Sequence, residues 1–459
     1  MNKSPWIEQL HRTRPERLLE ENVSTDVAII GGGISGIMTA YFTLRYTEKR
    51  VALIEGGLVG HGATGHNAGQ IVSDFERPFR EMVAQFGLEA TSNAVSAIEG
   101  TWETLEELMH QTNIQVPISY STGYIGYSTV EQIKAELENM YWRKQGGLPV
   151  ETLLIASESK EALQGLNPAY QTFVSYIPNK DIWSLLETDD EQYIAVHSSK
   201  RACVNSALLT ESLAGYLLQT YPERFSLFEK TMVEMIDLGS RSAAISVVGG
   251  KEVKSHRVVL CTNGFEQLHI KNSGVNLDTK FHHSVTGTVG YMAGYLDPID
   301  RPPTANTYFE HDNALKPYEP YFYLTRRPFE IESKLKHNLV CVGGPEFDLE
   351  DLSAYDRKHE IPKQTAADLD SFLKRAYAHA PKGEIEYKYQ WHGLMGYTPN
   401  RLRMIGAEPC NPTLMYNLGC NGIGIMASIF GGKRIAMMLA GKKMKPLLFD
   451  PQDMRCLIA

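Results

Sequence analysis

Residues 25–71 read TDVAIIGGGISGIMTAYFTLRYTEKRVALIEGGLVGHGATGHNAGQI. The short apolar run at 27–30 predicts a buried strand, a helical pattern follows it, and residues 51–54 predict a second strand. A G-x-G-x-x-G array, formed by Gly31, Gly33 and Gly36, lies between the first strand and the helix. Strand, glycines, helix and strand in this order are typical of a dinucleotide-binding βαβ unit.

Each glycine of the array has a separate task in such a unit. Gly31 permits the tight turn, Gly33 lets the backbone approach a pyrophosphate, and Gly36 lets the helix pack closely against the strand. The first residues of the helix, Ile34 and Ser35, lie where backbone N–H groups and the positive end of the helix dipole attract phosphate.

An acidic residue, Glu55, ends the second predicted strand about twenty residues after the last glycine. This is the usual place of the carboxylate that binds a ribose, and it favours the unphosphorylated ribose of FAD or NAD over that of NADP. The alternative interpretation is an ordinary turn in a parallel sheet, which does not explain why glycines, helix, strand and acid follow in order.

A second segment of small residues, GHGATGHNAGQ, occupies positions 60–70. Small residues are useful where a chain must pass close to a ligand. FAD is long and its flavin end lies far from the first glycine turn, whereas an NAD site needs no second loop. The segment therefore favours FAD, and a flexible surface loop is the alternative.

This second segment resembles that of the D-amino-acid oxidase superfamily of flavoproteins, which includes glycine, sarcosine and γ-glutamylputrescine oxidases. The resemblance returns at residues 391–406, WHGLMGYTPNRLRMIG, which are similar to the family's W-x-G pair and T-x-(D/N) turn. Residues 415–424, MYNLGCNGIG, look like its last strand and glycine turn, and a helix over 425–440 would follow. The resemblance implies an α/β fold, with a Rossmann-like FAD-binding domain and a discontinuous substrate domain built on an antiparallel sheet.

The resemblance also implies which residues surround FAD. The helix that begins near residue 425 would point its N-terminus at the flavin's pyrimidine edge and stabilise the anionic reduced flavin. A strand containing Val233 would bring a backbone contact to the adenine. The complete predicted set is Gly31, Gly33, Ile34, Ser35, Gly36, Glu55, Gly62, Ala63, Thr64, His66, Asn67, Gln70, Val233, Thr262, Gly393, Asn421, Gly422, Ile423 and Gly424.

His66 departs from the family pattern, which often has Arg or Ser at this position. Dimethylglycine and sarcosine dehydrogenases carry a histidine in a similar S-T-W-H-A-A-G segment, and that histidine is covalently bound to the flavin. The corresponding segment here is A-T-G-H-N-A-G. Two interpretations follow, a covalent bond between FAD and His66 or a hydrogen bond beside the flavin.

The expected class of substrate depends on one position at which the family pattern has an arginine and this sequence does not. In the glycine-oxidase pattern a carboxylate-binding arginine sits two residues after the W-x-G glycine, and the residue here is Met395. The turn at 398–401, T-P-N-R, is closer to that of γ-glutamylputrescine oxidase. The resemblance therefore favours an amine or N-substituted amine over an α-amino acid.

The remaining pocket candidates lie on one predicted strand, over residues 318–326. Tyr318, Tyr321, Phe322 and Tyr323 would wall a pocket for an aliphatic ammonium group, or would pack within the sheet. Arg326 and Arg327 are candidates for a carboxylate site, with a solvated strand end as the alternative.

The 459 residues are long enough for two or three domains, and signatures at both ends make the cofactor domain discontinuous. We predict an FAD-binding domain over 1–80, 190–270 and 385–459, and a substrate domain over 81–189 and 271–384. The uncharged run at 409–432 reads as strand, turn and helix in a core rather than as a membrane span. Residues 1–17 carry too many charges for a signal peptide.

Composition limits the other partners. A net charge of −9 argues against nucleic acid or anionic membrane as the main partner. Six cysteines without C-x-x-C spacing indicate reduced thiols in a cytoplasm, and neither a zinc site nor a disulfide scaffold. His282 and His283 are adjacent on a predicted strand and face opposite ways, so they make a poor metal site.

The sequence thus predicts an FAD-dependent amine or amino-acid oxidase or dehydrogenase. Hydride transfer to flavin N5 would give an imine that hydrolyses, and oxygen, a quinone or a protein would take up the electrons. The alternatives are another enzyme of the same fold, such as an RNA-modifying methylaminomethyl-uridine oxidase, and a non-catalytic FAD-binding protein. An NAD-only dehydrogenase would leave the second loop and the C-terminal turn unexplained.

Overall fold

Two mixed β-sheets organise the chain in a computed structural model that describes residues 2–265, 268–273, 285–310, 321–331, 335–351 and 354–451. The strands are β1 (Val23–Ile30), β2 (Val51–Ile54), β3 (Gln70–Ile71), β4 (Ile118–Tyr127), β5 (Leu153–Ala156), β6 (Val174–Ile177), β7 (Ala195–Val204), β8 (Phe225–Phe228), β9 (Val233–Leu238), β10 (Ala243–Val247), β11 (Glu252–Leu260), β12 (His269–Asn272), β13 (Thr286–Asp297), β14 (Thr304–Phe309), β15 (Tyr321–Ile331), β16 (Leu335–Leu349), β17 (Tyr389–Tyr397), β18 (Met404–Ala407) and β19 (Leu414–Leu418).

The helices lie between these strands. They are α1 (Pro5–Glu8), α2 (Ile34–Tyr46), α3 (Phe79–Phe86), α4 (Leu88–Glu99), α5 (Thr101–Thr112), α6 (Val130–Gln145), α7 (Asn179–Leu186), α8 (Ser206–Thr220), α9 (Lys363–Ala376) and α10 (Ile425–Leu439). Short 3-10 helices cover Ala63–Gly65, Ser157–Ser159, Glu161–Leu163 and Pro168–Phe173.

The first sheet has nine strands in the order β12-β9-β10-β11-β1-β2-β8, with β19 beside β11 and β18 beside β19. β1 pairs in parallel with both β2 and β11, so the predicted βαβ unit lies in the middle of the sheet. The burial of all four residues of β2 agrees with the apolar run that predicted it. The carboxyl ends of β1 and β2 therefore lie side by side, where such sheets bind ligands.

Close backbone packing holds the helices against this sheet. A Cβ atom at Gly36 of α2 would lie 1.9 Å from the carbonyl oxygen of Gly31, which confirms the close contact predicted for this glycine. α10 crosses α2 at Gly432, where a Cβ atom would lie 2.8 Å from the carbonyl carbon of Met38. α10 ends as predicted, because Gly441 adopts a φ of +77° that glycine tolerates best.

The second sheet has ten strands in the order β17-β13-β16-β15-β14-β4-β7-β5-β6, with β3 beside β7. The pairs β13–β16, β13–β17, β15–β16 and β14–β15 are antiparallel, as the sequence predicts. β7 and β17 belong to this sheet, although residues 190–270 and 385–459 were assigned to the cofactor domain. The predicted domain bounds themselves stay a prediction.

Some of the residues discussed above are not covered by the structure. His282, His283 and Tyr318 lie outside the described residues.

Four cysteines (Cys203, Cys261, Cys341 and Cys420) are free thiols, whereas Cys410 is disulfide-bonded. The expectation of reduced thiols is therefore wrong for Cys410, because spacing along the chain does not decide which sulfurs meet in space. In the part of the chain that the structure describes, no helix is both long and apolar enough to cross a membrane. The described residues also contain no group of His, Cys, Asp or Glu side chains that would hold a metal ion.

Candidate active site

A cavity of about 2640 Å³ extends from the carboxyl ends of β1 and β2 to one face of the second sheet. Most residues of the predicted FAD site line it. They are Gly31, Gly33, Ile34, Ser35, Glu55, Gly62, Ala63, Thr64, His66, Asn67, Gln70, Val233, Thr262, Gly393, Gly422, Ile423 and Gly424. The predicted pocket residues Tyr321, Tyr323 and Met395 also line the cavity. The predicted cofactor site and the predicted substrate pocket therefore meet in one cavity.

Gly36, Asn421 and Arg326 were predicted at the site but do not line the cavity. Gly36 acts one layer behind it, in the contact between α2 and β1. The side-chain oxygen of buried Asn421 accepts a hydrogen bond from the backbone N–H of Thr398 at 2.9 Å. Asn421 thus holds the turn after β17 against the loop before α10, and its role is to position that loop.

The glycine turn after β1 has the geometry that its sequence predicts. Gly31 adopts a φ of +107°, and a Cβ atom there would lie 2.6 Å from the carbonyl oxygen of Cys261. Gly33 is the N-cap of α2 and has no side chain to cap it. The hydroxyl of Thr64 instead accepts from the backbone N–H of Ile34 at 3.0 Å. The second small-residue segment therefore closes over the helix N-terminus.

Glu55 lies at the end of β2 and points back over the glycine turn. One carboxylate oxygen accepts from the backbone N–H of Gly32 at 2.6 Å, and the other accepts from that of Gly57 at 2.7 Å. Two such bonds orient the carboxylate before any ligand arrives.

His66 lies where the 3-10 helix Ala63–Gly65 ends. Its Nδ1 is 3.0 Å from the carbonyl oxygen of Gly62. Because a carbonyl oxygen only accepts, Nδ1 carries the proton and Nε2 keeps its lone pair. Burial lowers the pKa of His66 to about 4, so the ring is neutral at physiological pH.

Arg403 is a site residue that the prediction missed. It lies just before β18, is buried, and lines the cavity. Its Nη2 donates to the hydroxyl of Ser35 at 2.8 Å, and its Nε donates to the side-chain oxygen of Asn417 at 2.7 Å. Burial lowers its pKa to about 10, which still leaves it charged at neutral pH. In the sequence, the signal for Arg403 is that this arginine lies between the apolar residues Leu402 and Met404.

The far end of the cavity carries a group of carboxylates and phenols. Tyr321 donates to one oxygen of Glu346 at 3.1 Å, and Tyr397 lies 3.4 Å from the other. The Tyr397 hydroxyl also donates to Glu76. Burial, and then the nearby charge of Glu76, raise the pKa of Glu346 to about 8. The prediction included Tyr321 but neither glutamate, since 270 residues of sequence separate them.

Neither arginine proposed as a carboxylate site lines the cavity. Buried Arg326 forms an ion pair with Glu187 at 2.5 Å and donates to Tyr377 at 2.6 Å. Arg327 is also buried, and its guanidinium lies 4.4 Å from the ring of Trp6. The structure does not bring either arginine to the cavity, because β15 directs Arg326 to the other face of the sheet and Arg327 packs against Trp6.

These residues fit an FAD molecule. Glycines 31 and 33 bring bare backbone to the cavity wall, and the N-terminus of α2 and the charge of Arg403 suit a pyrophosphate. Glu55 lies where an adenosine ribose would bind. Gln70 has a side-chain nitrogen that is buried without a hydrogen-bond partner among the described residues, so it is available to a ligand in the middle of the cavity.

Sequence comparison identifies the family. A model of the FAD dependent oxidoreductase family matches residues 26–438. A putative Rieske 2Fe-2S iron-sulfur protein from Bacillus subtilis is 39% identical over 89 residues, which are 18% of this chain and 17% of that protein. A gamma-glutamylputrescine oxidoreductase from Escherichia coli is 26% identical over 152 residues, 33% of this chain and 35% of that protein. The matched segments span about a third or less of these relatives.

Solved structures share the fold over nearly the whole chain. Glycine oxidase from Geobacillus kaustophilus superposes with a TM-score of 0.65 at 19% identity, covering 92% of this chain and 96% of that one. L-proline dehydrogenase from P. horikoshii superposes with a TM-score of 0.67 at 18% identity, covering 94% and 97%.

Proposed function

The chain belongs to the FAD-dependent oxidoreductase family, and we propose that it oxidises the carbon–nitrogen bond of an amine or amino acid. FAD is the cofactor, and when bound it supplies the hydride-accepting chemistry. The substrate would lose a hydride from the carbon and a proton from the nitrogen, and the resulting imine would hydrolyse to a carbonyl compound and an amine or ammonia.

One observation carries this proposal: the cavity lined by the residues that fit FAD is also lined by side chains of the second sheet. β17 contributes Met395 and Tyr397, and β15 contributes Tyr321 and Tyr323. Enzymes of this kind hold a reacting carbon beside the cofactor and keep water away from it. The phenols and the neighbouring sheet would orient the substrate and exclude water.

An amine is a better candidate than an α-amino acid. Met395 stands where the glycine-oxidase pattern has a carboxylate-binding arginine, and its side chain packs against Gly290. Arg326 and Arg327 do not replace that arginine, because neither lines the cavity. The short match to a gamma-glutamylputrescine oxidoreductase supports the same choice.

The experiment mixes FAD-loaded protein with amines under anaerobic conditions and follows the flavin band near roughly 450 nm. Loss of the band with an amine, and not with the matched alcohol, supports the proposal. If neither amines nor amino acids bleach a fully loaded flavin, the protein is a non-catalytic FAD-binding protein or acts on another class of substrate. A purified protein that cannot be loaded with FAD would exclude both functions.

Reoxidation tests the electron acceptor, which we propose to be oxygen, a quinone or a protein. Once an amine has reduced the flavin, the band recovers on mixing with the true acceptor. Fast recovery with air identifies an oxidase, whereas slow recovery with air and fast recovery with a soluble quinone identifies a dehydrogenase. The cytoplasmic location stays a prediction.

His66 is the residue through which FAD would be linked covalently, since its Nε2 keeps a lone pair on the cavity side. Acid precipitation separates the two interpretations. Yellow colour in the pellet that His66→Ala releases supports a covalent bond. Colour in the supernatant of the unmodified protein shows that FAD is not bound covalently, and leaves the hydrogen-bonding interpretation of His66.

A further inference from the structure

Glu346 accepts a hydrogen bond from the Tyr321 hydroxyl at 3.1 Å, and the Tyr397 hydroxyl lies 3.4 Å from its other oxygen. The single hydroxyl proton of Tyr397 goes to Glu76, which is the nearer acceptor, so Tyr321 is the donor to Glu346 among the described residues. An ionised carboxylate offers about four lone-pair directions, so this bond leaves about three unused. The residue lines the cavity, and the unused directions are available to a ligand there.

No lysine or arginine among the described residues forms an ion pair with Glu346. Three arginines of the cavity wall are paired with acids of their own: Arg201 lies 3.3 Å from Asp74, Arg143 lies 2.6 Å from Glu99, and Arg80 lies 2.9 Å from Glu138. A buried carboxylate without a cation is costly, and such a group suits a ligand that brings the missing charge.

A second, separate feature of the same place points to a ligand. The hydroxyl of Tyr323 has no hydrogen-bond partner in the described part of the chain, and the side chain lies across Gly343 and lines the cavity. Its ring centroid is 6.1 Å from that of Tyr321, whose ring is in turn 6.1 Å from that of Phe309. Aromatic faces and a free phenol oxygen are groups that attract and accept from an ammonium ion.

We propose that Glu346 binds the ammonium group of a cationic alkylamine substrate, with Tyr321 and Tyr323 as the aromatic walls around it. The inference rests on the proposed function and names its substrate class, a small aliphatic amine that enters as a cation and carries no carboxylate beside the nitrogen. Glu346 is then a residue that determines specificity.

The surrounding charges add a pH dependence. Glu346 faces Glu76 from the segment after β3, Tyr397 from β17, Tyr321 and Tyr323 from its neighbour β15, and Asp348 on its own strand. Since burial and Glu76 raise the pKa of Glu346 to about 8, much of it is protonated at neutral pH. A cation binds the ionised form, so binding releases a proton and the affinity rises with pH up to about pH 8.

The test measures binding of three four-carbon probes to the FAD-loaded protein by anaerobic titration calorimetry. The probes are 1,4-diaminobutane, 4-amino-1-butanol and 4-aminobutanoate, which share a chain length and differ in charge at one end. The diamine is expected to bind most tightly and the carboxylate least.

Glu346→Gln should weaken diamine binding by about 10- to 100-fold and remove the proton release. Glu350→Gln, an exposed residue just beyond β16, is the matched control and should change neither.

Three results would overturn the ammonium site: tighter binding of the carboxylate than of the diamine, equal diamine affinity in both variants, or no diamine binding to the loaded protein. The comparison of carboxylate with diamine and the absence of diamine binding are measured on the unmodified protein. They test the site even if Glu346→Gln does not fold. If a diamine binds in a Glu346-dependent way but no amine reduces the flavin, the proposed function is refuted. The ammonium site at Glu346 is then still supported. If the protein oxidises amines and the KM is unchanged in Glu346→Gln, the ammonium site is refuted. The proposed amine oxidation is then still supported.

Discussion

Arg403 donates a hydrogen bond from Nη2 to the hydroxyl of Ser35 at 2.8 Å, which places a buried positive charge at the first turn of α2. The same guanidinium bonds the side chain and carbonyl of Asn417, and no acidic residue in the described ranges forms an ion pair with it. Helix N-termini attract phosphate through N–H groups and a partial charge. Arg403 adds a full charge at that point, so the C-terminal part of the chain would complete a phosphate site that begins near residue 31.

We expect Arg403→Met to lower the affinity for FAD by about 10- to 100-fold, because the buried charge beside the first turn of α2 would be lost. The flavin-free protein should also be less stable by about 1–3 kcal/mol, since Asn417 and Ser35 lose their partner. Titration of the apoprotein with FAD, followed by flavin fluorescence, measures the first effect. Arg241→Met, at an exposed turn, is the control. Unchanged FAD affinity in Arg403→Met would show that its charge serves only the fold.

Glu55 should affect the adenosine half of the cofactor alone. Its carboxylate is held by the backbone N–H groups of Gly32 and Gly57, so it is oriented before FAD binds. We expect Glu55→Ala to weaken FAD binding by about 10-fold or more, and to leave FMN binding unchanged because FMN has no adenosine ribose. Glu48→Ala, at an exposed residue near β2, is the control. An equal loss for both flavins would place Glu55 away from the ribose.

Patterns contained in a few neighbouring residues predicted the structure well. The apolar run 51–54 forms β2, and the glycine array forms the turn before α2. The last helix, α10, ends just before Gly441. Each of these depends on local φ angles, on periodicity or on the absence of a Cβ atom, and a short window of sequence shows all three.

The residues that meet across the second sheet were not predictable in this way. Glu346 and Tyr397 lie on β16 and β17, which both pair with β13, and a single sequence does not reveal these pairings. The alternation of β15 explains the error at Arg326. Tyr321 and Tyr323 line the cavity, whereas Arg326, an odd number of positions from both, does not.

His66 should make stability depend on pH. Its pKa in the folded protein is about 4, below the ordinary value of 6.5, because burial disfavours the charged ring. Between these two values the unfolded chain binds more protons than the folded one, so stability falls as the pH falls through this range. The loss attributable to His66 is about 2 kcal/mol between about pH 7 and about pH 5.

Denaturant unfolding of the flavin-free protein at both pH values measures this loss. His66→Gln should lose less stability on acidification than the unmodified protein does. His110→Gln, at an exposed residue near the end of α5, should behave like the unmodified protein. If all three proteins respond equally to pH, His66 is not kept neutral by burial.

Two glycines in helices test whether close packing at the dinucleotide turn is required. A Cβ atom at Gly36 would lie 1.9 Å from the carbonyl oxygen of Gly31, and backbone cannot move aside as a flexible side chain can. A Cβ atom at Gly215 in α8 would have no neighbour within 4 Å. We expect Gly36→Ala to destabilise the protein by several kcal/mol and to abolish FAD binding, roughly the penalty of a severe overlap in a packed core. Gly215→Ala should stabilise by about 0.5–1 kcal/mol, because alanine is the better helix former. Thermal unfolding and FAD content of the two variants check both signs, and equal melting temperatures would show that α2 is free to shift away from β1.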